Sequence, residues 1–315
     1  MSSVQHATVP DPGFGPDDDR RHHPEPGGRM RDSLFWELVM PDEQLAVQVY
    51  LYLSDRGRTG YNVVVWGAGE SVVELAGGKV GPDADLDTFS LSGLTISQPE
   101  LRRSCSVHYE GERIQLAYDF TGVHDAFSYR SNPDGLPSWF AVNRLEQSGR
   151  VDGYVTVDGR RVDWQQRMGH RDHSWGTRDW AVPHHWKWFV GYTESGVAVN
   201  GWIWIAYGEW GFARYVARDG VVRPVRTIHQ HAEYDAAMAQ QSLEADLVDV
   251  AGGVTHLSMT VFGVVKLPTH DPLATVIQEG ACQVTIDGEV GAGQFETHFP
   301  GPYLDHLAAA RAAGR

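Results

Sequence analysis

Hydrophobic and polar residues alternate with a period of two along much of the chain after Phe35. Residues 45–53 are the clearest case, because the odd positions are all Leu or Val while the even positions are Ala, Gln or Tyr. Such alternation places successive side chains on opposite faces of a β-strand. Similar runs follow at residues 61–66, 71–75, 86–96, 101–109 and 113–120, separated by turn-forming Gly, Pro, Asp and Asn. The pattern predicts an all-β protein, built as barrels or sandwiches.

A faint internal repeat predicts two β-domains. The segment VTVDG at residues 155–159 is echoed by VTIDG at residues 284–288, about one domain length later. Asp-Gly pairs begin at residues 134, 152, 158, 219 and 287 and suit tight hairpin turns. We therefore expect tandem β-domains over residues 31–165 and 166–302, which meet near residues 160–180. Helices are expected only at residues 233–247 and at the terminal segment 303–315.

Residues 1–30 differ from the rest of the chain, because Pro, Gly, Asp, Arg and His dominate and large apolar side chains are almost missing. A segment of this composition buries too little apolar surface to offset the entropy lost on ordering. We expect a disordered leader. Its neighbouring His22 and His23 are assigned no metal role, because a disordered pair is not a preformed site.

Charge and composition narrow the classes of partner. The chain has 26 basic and 41 acidic residues and a net charge of -15, which repels nucleic acid and anionic lipid surfaces. No apolar run reaches the length of a membrane span, and residues 1–13 lack the apolar core of a signal peptide. We expect a cytoplasmic protein without membrane insertion. Cys105 and Cys282 are too few for a disulfide framework and are interpreted as reduced packing residues.

The densest chemistry lies in residues 169–180, with the sequence GHRDHSWGTRDW. On an extended strand, Arg171, His173 and Trp175 would point one way, and Asp172 and Ser174 the other. One interpretation is a buried polar network that holds the two halves together. Another is an acid–base site, because an Asp beside His and Arg in an apolar setting has an altered proton affinity.

A metal site receives little support from the same region. The possible ligands match no standard spacing, and they are His170, Asp172, His173, His184 and His185. The chain also lacks a Gly-rich nucleotide-binding motif. The sequence therefore predicts neither a metal nor a cofactor.

Tryptophan-rich strands follow this segment directly. Residues 186–192 and 201–207 carry large apolar side chains at nearly every position, so neither strand has a face suited to water. One face can pack a core while the other lines a pocket for a hydrophobic small-molecule ligand. Glu279 and Glu296 lie in later strand-like segments and could face the same cavity.

The string RDHSWG at residues 171–176, with the RDW that follows, resembles the signature of lipocalin-like proteins related to AttH and the carotenoid 1,2-hydratases. Flanking segments around Arg144, residues 153–159, Glu279 and residues 291–296 have similar spacing, so the resemblance covers roughly residues 35–300. It implies two tandem lipocalin-like β-barrels with a ligand site between or within them. Relatives hydrate isoprenoid double bonds, and distant ones cyclise polyenes.

Together these observations lead to the hypothesis of a cofactor-independent hydratase or cyclase that acts on an isoprenoid or polycyclic substrate. Asp172 would be the general acid, and His173 would handle a second proton or position water. Arg178 and Asp179 would orient them. The residues expected to bind substrate are Trp175, Trp180, His184, Trp186, Trp188, Trp202 and Trp204.

Two alternatives remain open at this level. A non-catalytic carrier of a hydrophobic metabolite would use the tryptophan-lined cavity without the acid–base pair. A pericyclase would act through the shape of the cavity. A difficulty for the acid hypothesis is that the cations of Arg171 and Arg178 would keep a nearby carboxyl ionised.

Overall fold

A computed structural model describes residues 13–132, 135–269 and 271–314 and confirms an all-β fold with two barrel-like sheets. The strands of the first sheet are β1 (Arg31–Met40), β2 (Leu45–Ser54), β3 (Arg58–Gly67), β4 (Val72–Lys79), β5 (Thr88–Leu91), β6 (Leu94–Glu100), β7 (Ser104–Glu110), β8 (Ile114–Gly122), β9 (Phe127–Ser128), β10 (Asn143–Val157) and β11 (Arg160–Gly176). Their order is β4-β3-β2-β1-β11-β10-β8-β7-β6-β5, with β9 against β10. A single 3₁₀ turn, Tyr129–Ser131, follows β9.

The second sheet is a closed eight-stranded antiparallel barrel in which each strand pairs with the next. Its strands are β12 (Pro183–Thr193), β13 (Ala198–Ala206), β14 (Glu209–Arg218), β15 (Val221–Tyr234), β16 (Gln240–Asp249), β17 (Val254–Pro268), β18 (Val276–Ile286) and β19 (Glu289–Phe299). The terminal helix α1 (Gly301–Ala312) packs on the barrel through Leu304, beside Phe299 and Met238. Among the described residues, no helix is both long and apolar enough to cross a membrane.

Alternation along the strands builds three main apolar layers. In β1, Leu34, Trp36 and Leu38 fill the inside of the first sheet, and Phe35 and Val39 face the second barrel. The interior of the second barrel has its own core. The third layer, which we call the interface core, lies between the two sheets. It includes Phe35, Phe140, Trp186, Trp188, Trp202 and Trp204.

Several predicted turns and buried residues are present in the structure. The pairs that begin at Asp158, Asp219 and Asp287 form hairpins with positive φ at both residues. The pair at Asp152 instead lies within β10 at a register shift, and Asp134 is outside the described residues. Both cysteines are buried, free thiols within strands, as predicted.

The prediction of a disordered leader is wrong for residues 13–30, the part of that segment that the structure describes. Asp19 is fully buried, and its carboxylate binds Arg171 at 2.8 Å and the backbone N–H of Arg102 at 2.6 Å. Arg21 donates to the backbone carbonyls of Pro82 and Ala84. Hydrogen bonds of charged side chains, rather than burial of apolar side chains, order this segment. The prediction was wrong because it considered only how few large apolar side chains the segment contains. Residues 1–12 lie outside the described residues.

Two further boundaries differ from those predicted. The boundary between residues 165 and 166 falls inside β11, which stays in the first sheet to Gly176. The helix predicted over residues 233–247 is wrong, because β15 and β16 occupy it with a turn between them. Leu243, Ala245 and Leu247 alternate with exposed Glu244 and Asp246, and this period of two outweighs the helix preference of Ala, Glu and Leu.

Candidate functional site

The strand β11 presents its motif residues to both of its faces. The side chains that point towards the second barrel are those of His170, Asp172 and Ser174. Those that point into the first sheet or towards the leader are Arg171, His173 and Trp175. The His170 ring lies 5.7 Å from the Trp188 ring across the interface, whereas Arg171 lies over Phe120 inside the first sheet. The predicted alternation of this segment is therefore confirmed.

A largely buried arginine, Arg144, joins two carboxyl groups at the centre of the interface. Arg144 donates from Nη2 to Oδ2 of Asp172 at 2.6 Å and from Nε to Oε1 of Glu146 at 2.6 Å. The other oxygen of Glu146 lies 2.6 Å from Nε2 of His170, and Trp188 donates its indole N–H to Oε1 of Glu146 at 3.0 Å. Glu146 and Asp172 are direct cross-strand partners, so the β10–β11 register assembles this group.

The second barrel adds two more carboxyl groups, those of the buried Glu279 and the half-buried Glu296. The indole N–H of Trp186 donates to Oε1 of Glu296 at 2.5 Å. Glu279 lies opposite Glu296 in the β18–β19 ladder, and its Oε2 accepts a hydrogen bond from Gln294 at 2.7 Å. Gln48 of the first sheet donates to the other oxygen of Glu279 at 3.4 Å. The two sheets thus converge on one polar cluster enclosed by aromatic side chains.

Burial is the dominant influence on Asp172 and raises its pKa to about 7. The cation of Arg144 acts in the opposite direction, as does that of Arg178, while the negative charges of Glu146 and Glu296 raise the pKa further. The balance keeps a proton available on this carboxyl near neutral pH. Burial therefore outweighs the cations of Arg144 and Arg178 in setting this pKa.

The other carboxyl groups of the cluster differ from one another. Burial raises the pKa of Glu279 well above its ordinary value, and the charge of Glu296 adds to this effect. Burial also raises the pKa of Glu296, against the hydrogen bond from Trp186. For Glu146, Arg144 and His170 together outweigh burial and lower the pKa. The ionised form is therefore favoured for Glu146 and the neutral form for Glu279.

Charged neighbours also link the proton affinities of Asp172 and Glu296. Burial lowers the pKa of Arg178 to about 10, so Arg178 remains a cation at pH 7. The negative charge of Glu296 raises the pKa of Asp172, so loss of a proton from one of these two carboxyl groups disfavours loss of a proton from the other.

Aromatic side chains enclose this cluster at the interface. The ring of Trp202 lies 4.1 Å from that of Phe140 and 4.1 Å from that of Trp204. A narrow crevice lies beside them, with Phe140, Ser174 and Arg178 in its wall, and it has no room for a sphere the size of a water molecule. Arg178 donates to the Ser174 hydroxyl at 2.7 Å and lies over the Phe140 ring at 4.3 Å.

A larger groove of about 460 Å³ lies on the second barrel, away from this cluster. His229, Asp246 and His256 are among the residues that line it, and all three are exposed. None of the buried carboxyl groups reaches it. We therefore place the candidate site at the interface cluster, where the titratable groups are concentrated.

His173 belongs to a different network on the other side of β11. Its Nδ1 lies 3.3 Å from Asp19 and its Nε2 lies 3.0 Å from Asp32, which also binds His22 at 2.7 Å. Despite burial, these two carboxylates raise the pKa of His173 to about 9. The charged imidazolium, together with Arg171, balances Asp19 and Asp32 and fastens the leader to β1 and β11.

The same network contains the group of residues best suited to hold a metal ion within the described part of the chain. One ligand atom each from His22, Asp32 and His173 lie within 4.8 Å of one another. Both histidines lie within hydrogen-bond distance of Asp32, and the positive charge of His173 balances that carboxylate. The arrangement is that of a structural ion-pair network.

The structure brings only some of the predicted site residues together. Those that meet at the cluster or its aromatic enclosure are Asp172, Arg178, Trp180, Trp186, Trp188, Trp202 and Trp204. His173 and Trp175 face the leader instead, and the Trp175 ring stacks on His22. Asp179 and His184 are exposed, and Asp179 accepts a hydrogen bond from the Ala181 N–H in a turn.

Sequence reasoning did not assign roles to Arg144, Glu146 and His298, although Arg144 and Glu146 lie in the flanking segment of the family resemblance. Their contribution depends on strand pairing that a single sequence does not reveal. His298 stacks on Trp186, with ring centroids 3.9 Å apart. The only available signal was the alternation of Gln294, Glu296 and His298 along one face of a closing strand.

Three solved structures share this fold over most of their length. A candidate AttH from Nitrosomonas europaea is 15% identical, with a TM-score of 0.65 and coverage of 94% of this chain and 99% of that chain. Kievitone hydratase from Nectria haematococca is 10% identical, with a TM-score of 0.59 and coverage of 93% and 94%. CghA is 11% identical, with a TM-score of 0.59 and coverage of 87% and 88%. At these identities the likeness shows the fold alone.

No curated protein sequence matches the chain. A family model described as a domain of unknown function, DUF7064, matches residues 15–300. The match begins within the ordered leader and ends just after β19, so it spans both sheets and the interface between them. The chain therefore belongs to the DUF7064 family.

Proposed function

We propose that this protein is an enzyme that hydrates or cyclises a hydrophobic small molecule by acid–base catalysis at the interface between its two sheets. The observation that carries the proposal is the buried carboxyl group of Asp172, which Arg144 binds and whose proton affinity Glu296 raises, beside an aromatic enclosure. Two neighbouring carboxyl groups with different protonation states are suited to supply a proton and to remove one. We expect the substrate to be an isoprenoid or polycyclic compound with a carbon–carbon double bond.

In the first step, the carboxyl group of Asp172 donates its proton to one carbon of the double bond. The electron pair of the double bond forms the new C–H bond, and the adjacent carbon becomes cationic. Arg144 stabilises the carboxylate that remains on Asp172, because its guanidinium lies 2.6 Å away. The aromatic faces of Trp186 and Trp188 stabilise the positive charge on the substrate.

In the second step, a nucleophile captures the cation. For hydration, the nucleophile is water, and Glu296 accepts the proton that the water loses as the C–O bond forms. For cyclisation, a second double bond of the substrate attacks, and Glu296 removes a proton from the carbon skeleton. Transfer of that proton back to Asp172 restores the starting state, so the reaction consumes only substrate and, for hydration, one water.

The comparisons support this proposal at the level of the fold. One similar structure is a hydratase, and its fold covers 93% of this chain. Fold alone does not transfer an activity, so the argument rests on the carboxyl groups of this chain. The isoprenoid character of the substrate follows from the apolar, tryptophan-rich enclosure and from the motif resemblance.

Mass spectrometry after incubation with terpenoid, steroid and polyene compounds tests the proposal. We expect one compound to gain one water or to become an isomer of unchanged mass. Asp172→Asn should bind that compound and lower turnover about 100-fold or more, since a positioned general acid contributes roughly 10²–10⁴-fold. Asp179→Asn is the matched control, because this carboxyl lies in the same motif but is exposed, and turnover should stay unchanged.

Other outcomes distinguish the alternatives. Retention of an unmodified compound, with no product from any member of the panel, would contradict the enzyme and favour a carrier. Turnover that survives in Asp172→Asn would contradict the acid–base mechanism and favour a pericyclase that acts through cavity shape. Equal loss of turnover in both variants would show that the motif acts through folding.

A further inference from the structure

The buried histidine His298 has two ring nitrogens that meet no partner among the described residues. The side chain lies near the end of β19 and is fully buried. An unpaired polar atom in a protein interior is energetically costly, so most such atoms are paired. A histidine with both nitrogens unpaired beside a candidate active site is therefore a candidate for ligand contact.

The position of His298 is fixed by aromatic packing. Its ring stacks on Trp186 with centroids 3.9 Å apart and an interplanar angle of 24°. Trp180 also lies nearly parallel to it, with the centroids 6.1 Å apart. His298 is opposite Trp186 in the β12–β19 ladder, so the ring cannot move without disturbing a cluster residue.

The distance from His298 to the proposed reaction centre follows from strand geometry. Glu296 precedes it by two residues on the same strand, so the two side chains share a face about 6–7 Å apart. Trp186 contacts both residues, through its indole N–H to Glu296 and through its ring to His298. A ligand that contacts both Glu296 and His298 must therefore span several bonds.

The imidazole of His298 is neutral at pH 7. Burial lowers its pKa to about 3, with additional contributions from His185 and Arg178. A neutral imidazole offers one N–H donor and one acceptor nitrogen. This pair of functions suits a hydroxyl or carbonyl oxygen better than an ionised group.

We propose that His298 binds an oxygen atom of the substrate and so positions the double bond against Asp172 and Glu296. This inference rests on the proposed function and narrows its substrate class to oxygenated alkenes, excluding pure hydrocarbons. The oxygen lies several bonds from the double bond, and the connecting carbon skeleton packs against Trp186. His298 is thus a positioning residue that confers specificity.

Geraniol and the matched diene that lacks its hydroxyl group are suitable probes. Binding is measured by calorimetry in the Asp172→Asn background, where turnover does not interfere. We expect the alcohol to bind about tenfold more tightly than the diene, since a hydrogen bond contributes about 1–1.5 kcal/mol. His298→Phe, which keeps a ring against Trp186 and lacks both nitrogens, should abolish this preference.

His298→Gln serves as the partial rescue, because its amide keeps a donor and an acceptor. It should restore part of the preference for the alcohol, which a purely structural role of His298 would not predict. Thermal unfolding of each variant shows whether the fold is preserved. Equal affinity for the alcohol and the diene, or a preference that His298→Phe leaves intact, would overturn the inference.

The outcomes separate this inference from the proposed function. If no alkene is turned over but the preference for the alcohol depends on His298, the binding role holds and the catalytic proposal fails. If turnover depends on Asp172 while the preference is insensitive to His298, the catalytic proposal holds and the binding role fails.

Discussion

At the scale of single residues, Asp172 is held between two opposing influences. Arg144 binds its carboxylate form at 2.6 Å, whereas burial in the aromatic interface favours the neutral form. Arg144 cancels part of the effect of burial, so the pKa of Asp172 is raised to about 7. A group with this pKa can lose and regain a proton at little cost at neutral pH, which is what a general acid requires.

The pH dependence of turnover follows from these proton affinities. Turnover should fall as the pH rises through about 7, because Asp172 must carry its proton. It should also fall at acid pH, because Glu296 must be ionised to accept one and its pKa is raised above the ordinary value. We expect a bell-shaped profile of kcat, measured on whichever substrate the mass-spectrometric screen identifies.

Two Glu→Gln variants test which group causes the loss of turnover at high pH. Glu296→Gln removes a negative charge that raises the pKa of Asp172, so the basic limb of the residual activity should move to lower pH. Glu279→Gln is the control, because burial raises the pKa of Glu279 well above its ordinary value and so favours the neutral form that glutamine resembles. A basic limb that stays in place in Glu296→Gln would assign the titration to another group.

At the scale of elements, alternation predicted the strands and the two faces of β11. The same rule separates Asp172 from His173, so their proposed partnership conflicted with a pattern already visible in the sequence. Their positions follow from it, with Asp172 at the interface and His173 against Asp32. The alternation along β11 was sufficient to place these two side chains on opposite faces. The predicted partnership gave too much weight to the fact that Asp172 and His173 are adjacent in the sequence.

Elements distant in sequence explain the part of the site that could not be predicted. Arg144 reaches Asp172 because β10 pairs with β11, and Glu296 reaches Trp186 because β19 closes the barrel against β12. These pairings join residues up to 110 positions apart. A single sequence shows the strands and leaves their partners undetermined, so the tryptophans were found and Arg144 was missed.

The leader provides a prediction at this scale. The pKa of His173 is about 9 in the folded protein against 6.5 for an ordinary histidine. Its ion pairs with Asp19 and Asp32 therefore contribute fully to stability below about pH 6.5, and this contribution is lost as the pH rises through about 9. Hydrogen exchange of residues 13–30, followed by mass spectrometry, should accelerate over this range after correction for the intrinsic effect of pH.

Asp19→Asn should produce the same opening at pH 7. The variant breaks a buried pair and leaves Arg171 and His173 with less compensation, at a cost of about 3–5 kcal/mol. Asp163→Asn is the matched control, because it breaks an exposed pair with Arg161. Exchange in residues 13–30 that is equally fast in both variants would contradict the role of the Asp19 network.

At the scale of the whole molecule, the site exists only because the two sheets pack closely. Asp172 and Arg144 come from the first sheet, and Glu296 and Trp186 come from the second. The sheets approach each other at another point as well, where β17 meets β3. There Gly263 lies so near Gly67 that a side chain on Gly263 would clash with the backbone carbonyl group of Gly67.

Gly263→Ala should therefore force the sheets apart and weaken the site at a distance. Overpacking of this kind costs about 1–3 kcal/mol, which urea unfolding should detect as a lower midpoint. Turnover should fall with it, because the carboxyl groups are contributed by both sheets. Gly69→Ala is the control, since no heavy atom lies within 4 Å of a side chain placed there. Normal stability and turnover in Gly263→Ala would show that the site does not depend on the close packing of β3 and β17.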